Sequence, residues 1–148
     1  MRQLKQKIYE LLLIDDEEKA ISELLEIAPS RSINHLFSFI QDTNENIKWR
    51  AVRAMGKVVA AMASENLESA RVIMRRLMWS LNDESGGIGW GAPEAMGEIM
   101  AQDKRLKDEY YKILLSYVNE DGNYLEHEPL RKGAIWAIDR VKSGYDLQ

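Results

Sequence analysis

Glu94 and Glu98 stand one helical turn apart and are the paired carboxylates best spaced for proton transfer. Two acids on one helix face can divide general acid and general base work between them. Just upstream lies Gly86-Gly87-Ile88-Gly89-Trp90-Gly91. A glycine-rich turn before a helix offers free N–H groups that can hold an anion. No strand precedes this turn and no P-loop Lys-Ser/Thr pair follows it, so no nucleotide fingerprint is met. Asp83 and Glu84 would also repel an anion. The plainer use of these glycines is a tight turn that lets Trp90 pack between helices. His35 and His127 lack ligand spacing, so neither is assigned to metal or catalysis. The six methionines from Met55 to Met100 fall at helical core spacing and read as gap-filling core. No cofactor is expected from these residues.

The bulk properties narrow the classes. A chain of 148 residues is long enough for one domain with a real core. It is 45% hydrophobic and 30% charged, as ordinary soluble proteins are. Its net charge is −4 and its pI about 5.3, which argues against nucleic acid as the main ligand. The absence of cysteine removes disulfides, thiolate metal sites and cysteine nucleophiles. The N-terminal apolar run is short, broken by Glu10 and followed by four acids. It reads as an amphipathic helix rather than a signal peptide. No stretch approaches the ~18 apolar residues that span a membrane. The expected location is the cytoplasm.

Periodicity of about 3.6 recurs along the chain and no segment alternates as a strand does. It predicts about eight helices, near 2–14, 15–28, 32–41, 47–64, 66–81, 92–102, 103–118 and 129–143. Asp15-Asp16-Glu17-Glu18 supplies a cap and favourable charge for the second helix. Pro29 is expected to end that helix, with Ser30 or Ser32 capping the third. Ile33, Leu36, Phe37 and Ile40 are expected to face inward, and the residues from Gly144 onward to fray.

An internal repeat organises these helices. Ala51, Ala92 and Ala134 head three similar segments, 41 and 42 residues apart. In each, a second alanine follows three residues later: Ala54, Ala95 and Ala137. Gly56 and Gly97 occupy one register, where the third copy has Asp139. Leu36, Leu77 and Leu114 repeat at 41 and 37 residues, so the third copy holds five extra residues in its internal turn. Small residues at these positions let helices approach closely. The pattern of Asp42, Ile47, Lys48, Ala51, Ala54, Met55 and Gly56 resembles the HEAT-repeat family, and within it the PBS-lyase HEAT-like repeats. The second copy departs from that pattern at Gly89, where a basic residue belongs. The resemblance covers about residues 30–143. It implies an all-α, α-α superhelix: a HEAT-like or armadillo-like solenoid of stacked antiparallel helix pairs. One domain would span 1–148, with a degenerate pair at 1–29 and repeats at 30–65, 66–102 and 103–143.

In such stacks the second helix of each pair lines the concave side. Helical spacing then predicts a solvent-facing stripe containing Arg53 and Lys57, then Glu94 and Glu98, then Trp136 and Arg140. Signs alternate across it. One reading is a ladder of ion pairs between repeats, each worth about 0–1 kcal/mol if exposed. The other is a pocket suited to a protein or peptide partner. Candidate binding residues are therefore Arg53, Lys57, Trp90, Glu94, Glu98, Trp136 and Arg140. The leading function is a protein-interaction or scaffold module using the concave face and the Trp90 turn. The resemblance also implies a bilin-handling lyase as an alternative, with Glu94 and Glu98 as acid and base. A HEAT-like DNA glycosylase is disfavoured by the acidic charge and by the two glutamates in the stripe.

Overall fold

The computed structural model describes residues 2–146. Eight α-helices carry them: α1 (Arg2–Leu11), α2 (Glu17–Leu25), α3 (Pro29–Phe39), α4 (Glu45–Glu65), α5 (Leu67–Ser80), α6 (Ala92–Gln102), α7 (Lys104–Ser116) and α8 (Glu128–Asp146). A short 3-10 turn, Asp83–Ser85, precedes the glycines. The described residues contain no strand, so the protein is all-helical.

Local chemistry explains most boundaries. Asp16 caps α2 by accepting from the Lys19 N–H at 3.1 Å. Asn44, Asn66 and Asp103 cap α4, α5 and α7 in the same way. Burial would push the Asp103 carboxyl up, but Arg105 and the Leu106 N–H outweigh it and hold that carboxyl below its usual range. Pro29 opens α3 instead of closing α2, which already ends at Leu25. A proline in the first turn forfeits no helix hydrogen bond. Neither Ser30 nor Ser32 caps α3: its N-cap is Ala28, and Ser32 is buried inside the helix. The expected fraying at Gly144 is also corrected. There α8 continues to Asp146, and Tyr145 Oη donates to the Met100 carbonyl at 2.7 Å. The expectation for residues 147 and 148 lies outside the described residues.

The even-numbered helices pack in chain order, α2 on α4, α4 on α6 and α6 on α8. Each odd-numbered helix packs against the even one that follows it. One cluster of buried apolar side chains draws on all eight helices, from Ile8 to Val141. Phe37 departs from expectation. It is only half-buried, with the Arg76 guanidinium 4.1 Å from its ring centre, and Phe39 takes the core position.

Helix α6 occupies the centre, and every residue from Ala92 to Met100 is buried. Small residues make that possible. A Cβ on Gly97 would lie 2.5 Å from the Ala137 Cβ, and one on Gly56 would lie 2.7 Å from the Glu98 Cγ. At the start of α6, Gly91 has φ +79° and its missing Cβ is replaced by the Ile40 carbonyl of the neighbouring chain segment. Gly86 has a similar φ of +81° but open space around it.

This contrast is testable. Gly86→Ala meets only the left-handed backbone cost, about 1–2 kcal/mol. Gly91→Ala adds a collision with rigid backbone and should cost roughly 3 kcal/mol or more. Urea unfolding of the two variants measures the difference, and equal midpoints would contradict it.

Candidate functional site

The predicted stripe does not face solvent at its centre. Glu94 and Glu98 retain only 5% and 4% of their exposure. Because α4 and α8 close over α6 through Gly56, Gly97 and Gly133, the middle helix has no open face left. Both carboxylates are neutralised where they lie. Lys48 Nζ reaches Glu94 Oε2 at 2.8 Å. Arg140 grips Glu98 with two hydrogen bonds, Nε to Oε2 at 3.0 Å and Nη2 to Oε1 at 3.1 Å. Glu94 Oε1 is buried without a hydrogen-bond partner, and it lies where a Cβ on Gly133 would fall.

The ladder of ion pairs is present, with partners shifted from the expected rows. Only Glu98 and Arg140 meet as neighbours in one row. Arg53 instead joins Arg50 on Glu17 of α2, at 2.8 and 2.9 Å. Lys57 hydrogen-bonds the Gln102 side chain at 3.1 Å, because Glu98 sits above Gly56. Trp136 packs on Trp49, ring centres 4.6 Å apart, and Lys48 lies over the Trp49 ring. The seven candidates therefore divide. Glu94, Glu98 and Arg140 belong to the α6 seam, while Arg53, Lys57 and Trp136 stay partly open beside it.

Trp90 lies elsewhere, on the glycine-rich turn. Its ring meets the His127 ring edge-on at 5.2 Å and remains 36% exposed. This contact ties the turn to the loop between α7 and α8. Behind the contact lies a groove of about 840 Å³, with Trp79, Asp83 and Ile88 on one side and Tyr124, Glu126 and His127 on the other. Trp79 and Ile88 are 54% and 51% exposed, which is unusual for large apolar side chains lining one cavity. Tyr117 lies in the groove floor, where burial pushes its phenol up to about 12 and keeps it neutral.

Both walls are held by polar contacts. The Asn82 side chain accepts from the Glu84 N–H at 2.8 Å and fixes the entry to the turn. Gly89, at φ +87°, passes against the Ser80 carbonyl, where a Cβ would stand 2.7 Å away. On the other side, Arg131 donates to the Leu125 carbonyl at 2.9 Å and stacks over Tyr124. Sequence reasoning missed Trp79, Tyr124 and the groove. One signal was present: Trp79 falls off the stripe of Ile73, Met74 and Leu77 that buries α5.

Among the described residues no group of three or more His, Asp or Glu is arranged to hold a metal ion, and no helix is long and apolar enough to cross a membrane. No protein-family model matches the chain, and no solved structure matches it at a significant level. A protein of Archaeoglobus fulgidus described as uncharacterized is 34% identical over 76 residues, which is 51% of this chain and 36% of that protein. The matching segment thus spans about a third of that relative's length.

The two kinds of ion pair should separate in stability. Arg140→Ala strands a buried carboxylate and should cost about 3 kcal/mol, the low end of the range for broken buried pairs because Arg140 itself is partly exposed. Arg71→Ala removes an exposed, solvent-screened pair with Glu109 and should cost far less. Chemical denaturation of both variants checks the order, and a smaller loss for Arg140→Ala would refute the seam assignment.

Proposed function

We propose that this chain is a HEAT-like α-solenoid module that binds a polypeptide partner in the groove between the glycine-rich turn and the α7–α8 loop. The solenoid reading is supported by the repeat of 41 and 42 residues and by the stacking of even-numbered helices in chain order. The binding reading rests on one observation above all. Trp79 and Ile88 expose large apolar surfaces on the same groove, and the partly exposed Trp90 packs against His127 of its lining. Clustered exposed apolar residues beside a cavity of this size mark interaction sites.

The surface proposed here differs from the stripe suggested by spacing. Glu94 and Glu98 do not line the groove and are covered by their own cations. An acid–base role for them, as in a bilin lyase, therefore finds no support in their placement. Arg53, Lys57 and Trp136 stay partly open beside the α6 seam and do not line the groove.

Affinity purification from the native host, read by mass spectrometry, tests the groove. Wild type should retain a protein that the double variant Trp79→Ser, Ile88→Ser loses by about tenfold or more. Both positions are exposed, so the variant should keep its melting temperature. Equal retention by a folded double variant would remove the groove from consideration.

A further inference from the structure

The groove's charge identifies what it takes. Two segments flank it, residues 82–91 and 119–128; of their acids Asp83 and Glu126 line the groove itself, where Arg75 is the cation. Together the segments hold Asp83, Glu84, Glu120, Asp121, Glu126 and Glu128 and no lysine or arginine. These are six of the chain's 24 acids and none of its 20 bases, which leaves 18 acids against 20 bases everywhere else. The net negative charge of the protein is therefore carried by these two segments. Of the six, only Glu128 has an ion-pair partner among the described residues, Lys132 at 3.0 Å, which holds its carboxyl below the usual range. Arg75, in the groove lining, and Arg131, stacked over Tyr124, are both engaged. Arg75 binds Glu68 at 2.6 Å, and Arg131 is committed to the Leu125 and Glu126 carbonyls.

From this we infer, resting on the polypeptide-binding reading above, that the groove receives a basic amphipathic segment of a partner protein. An apolar anchor of that segment would bury against Trp79 and Ile88, and its lysines or arginines would meet Asp83, Glu84 and Glu126 on the rim. An acidic segment would place like charges together around a partly desolvated bed, which rejects it. The exposed Trp79 ring favours the same choice, since a cation binds well over a Trp face. Rim acids of this kind chiefly speed association and reject wrong partners.

The probe is a short fluorescein-labelled peptide of alternating lysine and leucine around one tryptophan. Two matched peptides accompany it, one with glutamate for lysine and one with serine for leucine. Fluorescence anisotropy with the full chain should show the first peptide binding and both matched peptides at least about tenfold weaker. Binding should weaken as salt rises. The triple variant Asp83→Asn, Glu84→Gln, Glu126→Gln and the single variant Trp79→Ala should each lose about tenfold. The triple control Asp15→Asn, Glu18→Gln, Glu26→Gln, at exposed positions in and beside α2, removes the same number of charges away from the groove and should leave binding unaltered. Equal loss in that control would mean diffuse attraction and would overturn the inference. Preference for the glutamate peptide, or no binding of the lysine peptide, would also overturn it, while the capture experiment above would still stand or fall on its own result. Sedimentation that shows a dimer abolished by the triple variant would give the groove to a second copy of this chain and overturn it equally.

Discussion

Close approach of α6 to α4 and α8 is the constraint on which the rest depends. Gly97 against Ala137, Gly56 against Glu98 and Gly133 against Glu94 leave no room for another carbon at these three points. Glycine inside a helix costs about 1 kcal/mol relative to alanine. That cost is offset because α6 buries every residue from Ala92 to Met100, including Met96, Ile99 and Met100 with no remaining exposure. Full burial of one such side chain contributes about 1.5–3 kcal/mol. A short helix of 11 residues could not be stable alone, and tertiary burial is what holds it.

That burial encloses two glutamates, and the even helices are arranged around the consequence. Taking a carboxylate out of water costs several kcal/mol unless a counter-charge and hydrogen bonds replace the solvent. Lys48 meets Glu94 from α4, and Arg140 meets Glu98 from α8. Each acid is thus served from a different neighbour. Sliding α8 by one turn along α6 would keep small residues in contact in places, but it would strand Glu98 without Arg140. The apolar seam permits close packing, and the charges select one register within it. The odd-numbered helices use a looser device, with Arg71 on Glu109 and Arg76 on Asn34 at the surface.

Much of this was legible in the residues. Helical periodicity located the helices, and the alanines at Ala51, Ala92 and Ala134 marked buried positions, because those features record which face is buried. Capping acids such as Asp16 and Asp103 were legible for the same local reason. The stripe was misread at Glu94 and Glu98 because charge normally marks a solvated face. Here the glycines on adjacent helices removed that face, a fact that depends on three-dimensional neighbours. Pro29 was assigned to the wrong side of its boundary, since proline both follows one helix and opens the next. The groove was hidden for a further reason. Trp79, Ile88 and Tyr124 come from three separate segments, and no local pattern records that they share a cavity.

The glycine-rich turn connects the scaffold to the groove. Its glycines and its side chains have separate tasks. Gly89 and Gly91 face inward, pressed against the carbonyls of Ser80 and Ile40, and they fix the path of the chain. Ile88 and Trp90, alternating with them, are thereby forced outward. A turn that could adopt several paths would fold its apolar side chains back onto the protein. This one is held at Asn82, at Ser80 and at Ile40, and its Trp90 is braced by His127. Apolar residues held outward by backbone contacts are already ordered, so in the proposed binding role association would not bear the full entropic cost of arranging them. The same close packing that buries two glutamates at the centre therefore presents Ile88 and Trp90 at the edge.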